Sequence, residues 1–217
     1  MLRPIFAALP RFALFLLAMI PVLTGVVILL SMRDGSVNAL SEPQDILRRQ
    51  SYSFSMIGHI IGGSAMLILG FAQFSSRLRR NFPAWHRWSG RVLVALGVVF
   101  ALTALRMNFS DQAMAGSALH DAAQNLAALA FLATLGLGVA AIRRGEVARH
   151  RVWMMRSYAL ALGAATQTVL LLPVFLILGS VEGLGYDLVF IAGWLVNLAV
   201  AEFLLRHRPM RRMLSTA

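Results

Sequence analysis

Six long apolar runs leave this chain few folds. They lie at about 12–31, 52–75, 86–106, 117–142, 150–179 and 184–205. Each approaches or exceeds the roughly 20 residues that a helix needs to cross about 30 Å of hydrocarbon. In lipid every backbone N–H and C=O must be paired inside the protein, so runs of this length read as spanning helices. With 59% of its 217 residues hydrophobic and 13% charged, the chain lies well outside the range of a soluble domain. The expected fold is all-α: an integral membrane six-helix protein, a single transmembrane domain over residues 1–217, whose second to fifth helices form a central four-helix bundle. The first run follows Arg3 and Arg11. It is too long for a signal-peptide core and no small-residue cleavage site follows it, so a retained helix kinked at Pro21 is expected. The polar stretch 32–50 connects to the second run and is expected to hold a short surface helix after Pro43.

All twenty basic residues are arginine, and the formal net charge is +11. In a soluble protein that balance would suggest nucleic acid, but these arginines sit in short turns between apolar runs, where they set topology. A cytoplasmic amino terminus and six spans place sixteen of the twenty on the inner side, leaving Arg33, Arg48, Arg49 and Arg106 outside. Most acids fall on the outer side, Asp187 among them. The expected location is therefore the bacterial inner membrane, with both termini cytoplasmic and no nucleic-acid partner. The absence of cysteine excludes disulfides, thiolate metal sites, iron–sulfur clusters and thiol catalysis.

Four histidines recur in a pattern. His59 opens an apolar run that ends in an arginine pair, Arg79 and Arg80, before His86; His120 opens another that ends in Arg143 and Arg144 before His150. In both copies the second histidine lies six positions after the later arginine. The spacings from first histidine to second are 27 and 30 residues, a difference of about one helical turn. This is the signature of a weakly duplicated helix hairpin. The second and fourth helices run inward, so His59 and His120 lie toward the outer side. The third and fifth run outward, so His86 and His150 lie toward the inner side.

Two imidazoles at one depth on alternate helices suit a b-type haem, each giving one nitrogen to iron and the other to a supporting acceptor. Two haem b groups, one near each face, would let an electron cross the bilayer. The bare faces of Gly63, one turn below His59, and Gly90, one turn after His86, leave room for a flat ring or a close helix. Arg91, Arg106 and Arg156 are the expected partners of the propionates, because a guanidinium fork suits a carboxylate. Arg156 leads, since an arginine below the membrane surface is costly unless paired. No HExxH, phosphate-binding glycine loop, Walker motif or GxSxG occurs. The competing expectation is a haem-free helical module, an assembly subunit or small-solute permease, with its histidines at the interface.

At HRWSGR (86–91) and HRVWMMRSYAL (150–160) the chain resembles a bacterial family of predicted membrane proteins without an assigned function, over the second to fifth helices. More distantly, one histidine on each of four consecutive helices is similar to the cytochrome b-five-sixty-one superfamily of transmembrane dihaem cytochromes. That resemblance implies His59 with His120 on one haem and His86 with His150 on the other, the pairing that depth gives. It implies a membrane oxidoreductase. The expected partners are membrane lipid, a quinol or other small reductant as donor, an acceptor, and a second copy of the chain as a homodimer. No ascorbate-binding pattern is present.

Overall fold

The structure is a computed structural model and describes residues 3–34, 53–109, 117–179 and 183–207. All regular structure among them is helical. Six helical segments are long and apolar enough to cross a membrane: Ala13–Arg33, Phe54–Gln73, Pro83–Asn108, Ala118–Arg143, Val147–Leu178 and Gly183–Arg206. They coincide with the six apolar runs to within a few residues. Large apolar side chains such as Leu126, Leu176, Ile177 and Phe203 point outward, as expected where the solvent is lipid. The surface helix expected after Pro43 lies outside the described residues. The chain divides into two compact units, Met1–Ala115 and Gly116–Ala217.

The first unit holds α1 (Arg3–Asp34), α2 (Ser53–Gln73), the short α3 (Ser76–Asn81) and α4 (Pro83–Asn108). α1 continues helical through Pro21 and packs on α2, with Gly25 facing Ile60 and the Phe15 and Phe71 rings 5.8 Å apart. α2 and α4 form an antiparallel pair, and glycine decides how close they come. A Cβ on Gly62 would lie 2.8 Å from the Leu96 carbonyl oxygen and 3.0 Å from the Phe100 Cβ; one on Gly58 would lie 3.2 Å from the Thr103 methyl. Without those side chains the two backbones meet directly, the usual route to tight packing where no hydrophobic drive acts between helices. Polar contacts pin both ends of the pair. Gln73 Nε2 donates to Ser89 Oγ at 2.7 Å, and Arg106 Nη1 donates to the fully buried Ser55 Oγ at 2.6 Å. Between them Ser75 Oγ caps α3 by accepting from Leu78 N, and Pro83 starts α4 where its missing N–H costs nothing.

The second unit holds α5 (Ala118–Arg143), α6 (Val147–Ala161), α7 (Gly163–Leu178) and α8 (Gly183–His207). Ser117 caps α5, accepting from His120 N at 3.2 Å. The α5–α6 turn passes through Gly145 at φ 76°, a left-handed conformation that glycine adopts without strain. α5 and α6 run antiparallel: bare Gly138 admits Met154 and Trp153, and the buried Ser157 hydroxyl donates to Thr134 Oγ1 at 2.9 Å. α6 and α7 make one span, interrupted at Leu162. α8 returns along them. Thr166 Oγ1 donates to Asn197 Oδ1 at 2.8 Å, Gln167 Nε2 donates to the Phe190 carbonyl at 2.9 Å, and the Trp194 indole fills the space that Gly163 leaves. Phe131, Leu135, Ala141 and Ala165 are almost wholly buried in this unit.

Candidate functional site

Each unit carries two of the four histidines, and the antiparallel pairing sets them at opposite ends of their unit. His59 on α2 sits beside Phe100 on α4. Fourteen residues of α4 separate Phe100 from His86, about 21 Å along the axis at 1.5 Å per residue. In the second unit His150 on α6 sits beside Gly138 on α5. Eighteen residues of α5 separate Gly138 from His120, about 27 Å.

The half-buried His59 ring stacks on Phe100, centroids 4.5 Å apart and planes 27° from parallel, and its Nδ1 lies 3.1 Å from the Phe100 carbonyl oxygen. A carbonyl only accepts, so this contact places the ring proton on Nδ1 and the lone pair on Nε2. Gly63, one turn further along α2, supports the arrangement: a Cβ there would lie 3.0 Å from Phe100 Cε2, so the edge of that ring occupies the space. Arg106 reaches Ser55, one turn before His59 on the same face, and so stands at the His59 end of the unit. At the opposite end, half-buried His86 lies in the first turn of α4, its backbone N–H bonded to the Phe82 carbonyl at 3.1 Å. One turn later, a Cβ on Gly90 would meet only Gln73 Oε1, at an ordinary contact distance of 3.8 Å. Arg91 is exposed.

His150 repeats the His59 geometry. It is half-buried and its Nδ1 lies 2.9 Å from the Gly138 carbonyl oxygen, again leaving the lone pair on Nε2. Six residues on, Arg156 donates through Nε to Glu202 Oε1 on α8 at 2.6 Å, and its guanidinium carbon lies 4.6 Å over the Trp153 ring. Arg144, Arg149, Trp153 and Arg156 line an open groove of about 520 Å³. Glu146 at its edge accepts from Arg144 Nε at 3.1 Å and from Arg149 Nη1 at 3.2 Å. The Arg144 hydrogen bond holds the Glu146 carboxyl below its ordinary range.

His120 is the most enclosed of the four, 6% exposed between Tyr186 and Phe190 of α8, with centroids 5.4 and 4.5 Å away. Its Nδ1 faces Asp187 Oδ1 at 3.5 Å; its Nε2 lies 2.5 Å from Gln124 Nε2. The Ser117 hydroxyl donates to the other Asp187 oxygen.

Sequence reasoning missed Asp187 and Glu202 as site residues. Each is an acid inside an otherwise apolar run, which is costly in a membrane unless paired, and that cost was the available signal. Phe100 gave no signal, being one apolar residue among many. Among the described residues no group of three or more His, Cys, Asp or Glu side chains clusters as a bare-metal site would.

No curated protein and no solved structure matches the chain. Residues 56–205, a stretch holding all four of these histidines together with Arg106, Arg156, Asp187 and Glu202, match the model of the family described as "Predicted membrane protein (DUF2306)", and the chain belongs to that family.

Proposed function

We propose that this chain transfers electrons across a membrane through two b-type haems, with His59 and His120 as ligands of one and His86 and His150 as ligands of the other. The observation that carries this reading is the common orientation of three imidazoles. Nδ1 of His59, His150 and His120 faces, in turn, two backbone carbonyls and a carboxylate. Ligand histidines characteristically donate the second ring N–H to such an acceptor, which fixes tautomer and ring direction and keeps the Nε2 lone pair for a metal. When bound between two imidazoles, haem supplies a one-electron carrier with no open coordination position.

The chain's own residues would do the rest. Within each unit the two histidines stand about 21 and about 27 Å apart along the helices, a separation that would suit one level near each membrane face. Arg106 at the His59 end, Arg91 beyond His86 and Arg156 beyond His150 would hold propionates. Arg156 is preset for that by Glu202 and Trp153. Gly90 leaves a loosely contacted face one turn from His86, whereas the bare face of Gly63 serves His59 through Phe100. The arginine bias favours a bacterial inner-membrane protein with both termini in the cytoplasm, acting as an oxidoreductase with a quinol or other small reductant as donor.

One contact favours the competing reading of a haem-free helical module. Gln124 already approaches His120 Nε2 at 2.5 Å, and its amide must swing aside before that nitrogen can bind iron. The reduced-minus-oxidised spectrum of the purified protein decides between them. Two haem b per chain are expected, and His120→Ala should remove about half the signal. A colourless, folded protein from haem-sufficient cells would leave the module reading standing.

A further inference from the structure

Asp187 is the one acid among the described residues whose side chain is buried, 3% exposed in the first turns of α8. A carboxylate so placed in a spanning helix is retained only where partners offset its desolvation. Two groups meet it. The Ser117 hydroxyl donates to Oδ2 and is itself held in place as the cap of α5. His120 Nδ1 stands 3.5 Å from Oδ1, too far for a formed hydrogen bond, and that buried nitrogen has no other polar partner among the described residues. Tyr186 and Phe190 wall the ring on α8, so it cannot turn to water.

Nδ1 facing a carboxylate must carry the proton, because a lone pair there would be repelled. The contact at the other edge agrees. Gln124 Nε2 can only donate, so at 2.5 Å it requires a lone pair on His120 Nε2. We infer that Asp187, anchored by Ser117, is the positioning residue of His120, fixing its Nδ1–H tautomer, and that it makes the His120 site the lower in potential of the two. The second half rests on the haem reading; the first does not. His59 and His150 have neutral carbonyls in the place where His120 has an anion. A carboxylate facing the Nδ1 proton at 3.5 Å would act through its charge to make Nε2 a stronger donor, and so would favour the more positive, oxidised iron.

Two measurements on the full-length protein test this. In haem-free protein labelled with nitrogen-15 at histidine, the His120 resonances should report Nδ1–H in the wild type and mixed tautomers in Asp187→Ala. Ser117→Ala, which keeps the acid and loosens it, should shift the same resonances less. A wild-type His120 protonated at Nε2, or one unmoved by both substitutions, overturns the positioning role. In haem-loaded protein, Asp187→Asn should raise one of two midpoint potentials and leave the other in place. If the wild type holds two haems and neither midpoint moves, the potential claim falls and the haem reading survives. If the wild type holds none, the haem reading falls with the potential claim, and the resonances alone decide the tautomer.

Discussion

Individual residues here act through the space they leave as much as through what they touch. Gly62 is the clearest case, because the atom that a Cβ would meet 2.8 Å away is a backbone oxygen of Leu96 and cannot rotate aside. Gly62→Ala should therefore cost about 1–3 kcal/mol through forced separation of α2 and α4. Gly136→Ala is the matched control: nothing lies within 4 Å of its added methyl, so thermal unfolding in detergent should be unchanged or raised slightly by better helix propensity. Equal losses at both positions would mean that α2 and α4 are not in contact through this face. The turn residue Glu146 carries a pH dependence of known sign. Its carboxyl is held below the ordinary range, first by the Arg144 hydrogen bond. Its ordering effect is therefore fully present above the usual carboxylate pKa and is lost as pH falls through the lowered one. The pair is solvent-exposed, so the change should appear as lower amide protection factors over residues 144–150 in acid, each taken against the intrinsic exchange rate at that pH, and not as a shift in global stability. Arg144→Gln should abolish much of that response.

Among the elements, what the sequence made legible and what it hid differ in kind. A spanning helix must be apolar all round, so its existence is written locally, and all six runs are helices with the expected limits. The break at Leu162 was hidden, because α6 passes into α7 without a change in apolar character and the interruption lies beside Gly163, where Trp194 enters from α8. The turn SSRLRRNFPAW hid the short helix α3, although Ser75 followed by an arginine-rich stretch is a cap signal. The histidines themselves were legible as a spaced pattern. Their partners were not: Phe100 lies 41 residues from His59, and Glu202 lies 46 from Arg156, and a single sequence does not say which residues helix packing will join. The Arg156–Glu202 pair links α6 to α8 with both side chains only partly exposed. Glu202→Gln should cost about 1–2 kcal/mol, as loss of a charge-assisted hydrogen bond does. Arg156→Lys should lose a similar amount, because an ammonium cannot donate to Glu202 from the Nε position while a flat guanidinium lies over Trp153. Wild-type stability in either variant would reduce the pair to a surface contact.

Across the whole molecule the arginines and the histidines obey one arrangement. In the first unit the arginine-rich α3 joins α2 to α4 at the His86 end; in the second, the turn bearing Arg143 and Arg144 joins α5 to α6 at the His150 end. The arginine-bearing turns thus neighbour one histidine of each unit, and the opposite ends carry His59 and His120. Basic residues in short loops resist translocation, so both turns should remain in the cytoplasm. Reporter insertions at residues 76–81 and at 144–146 should accordingly read as cytoplasmic, as should fusions at both termini, while an insertion after Phe109 should read as exported. Replacing Arg77, Arg79, Arg80, Arg143, Arg144 and Arg149 by Gln should weaken the preference and raise the exported fraction at both turns, because it removes six of the sixteen arginines expected on the inner side. Uniform export of the two turns in the native chain would reverse the orientation. His86 and His150 would then lie on the outer side, and His59 and His120 on the inner.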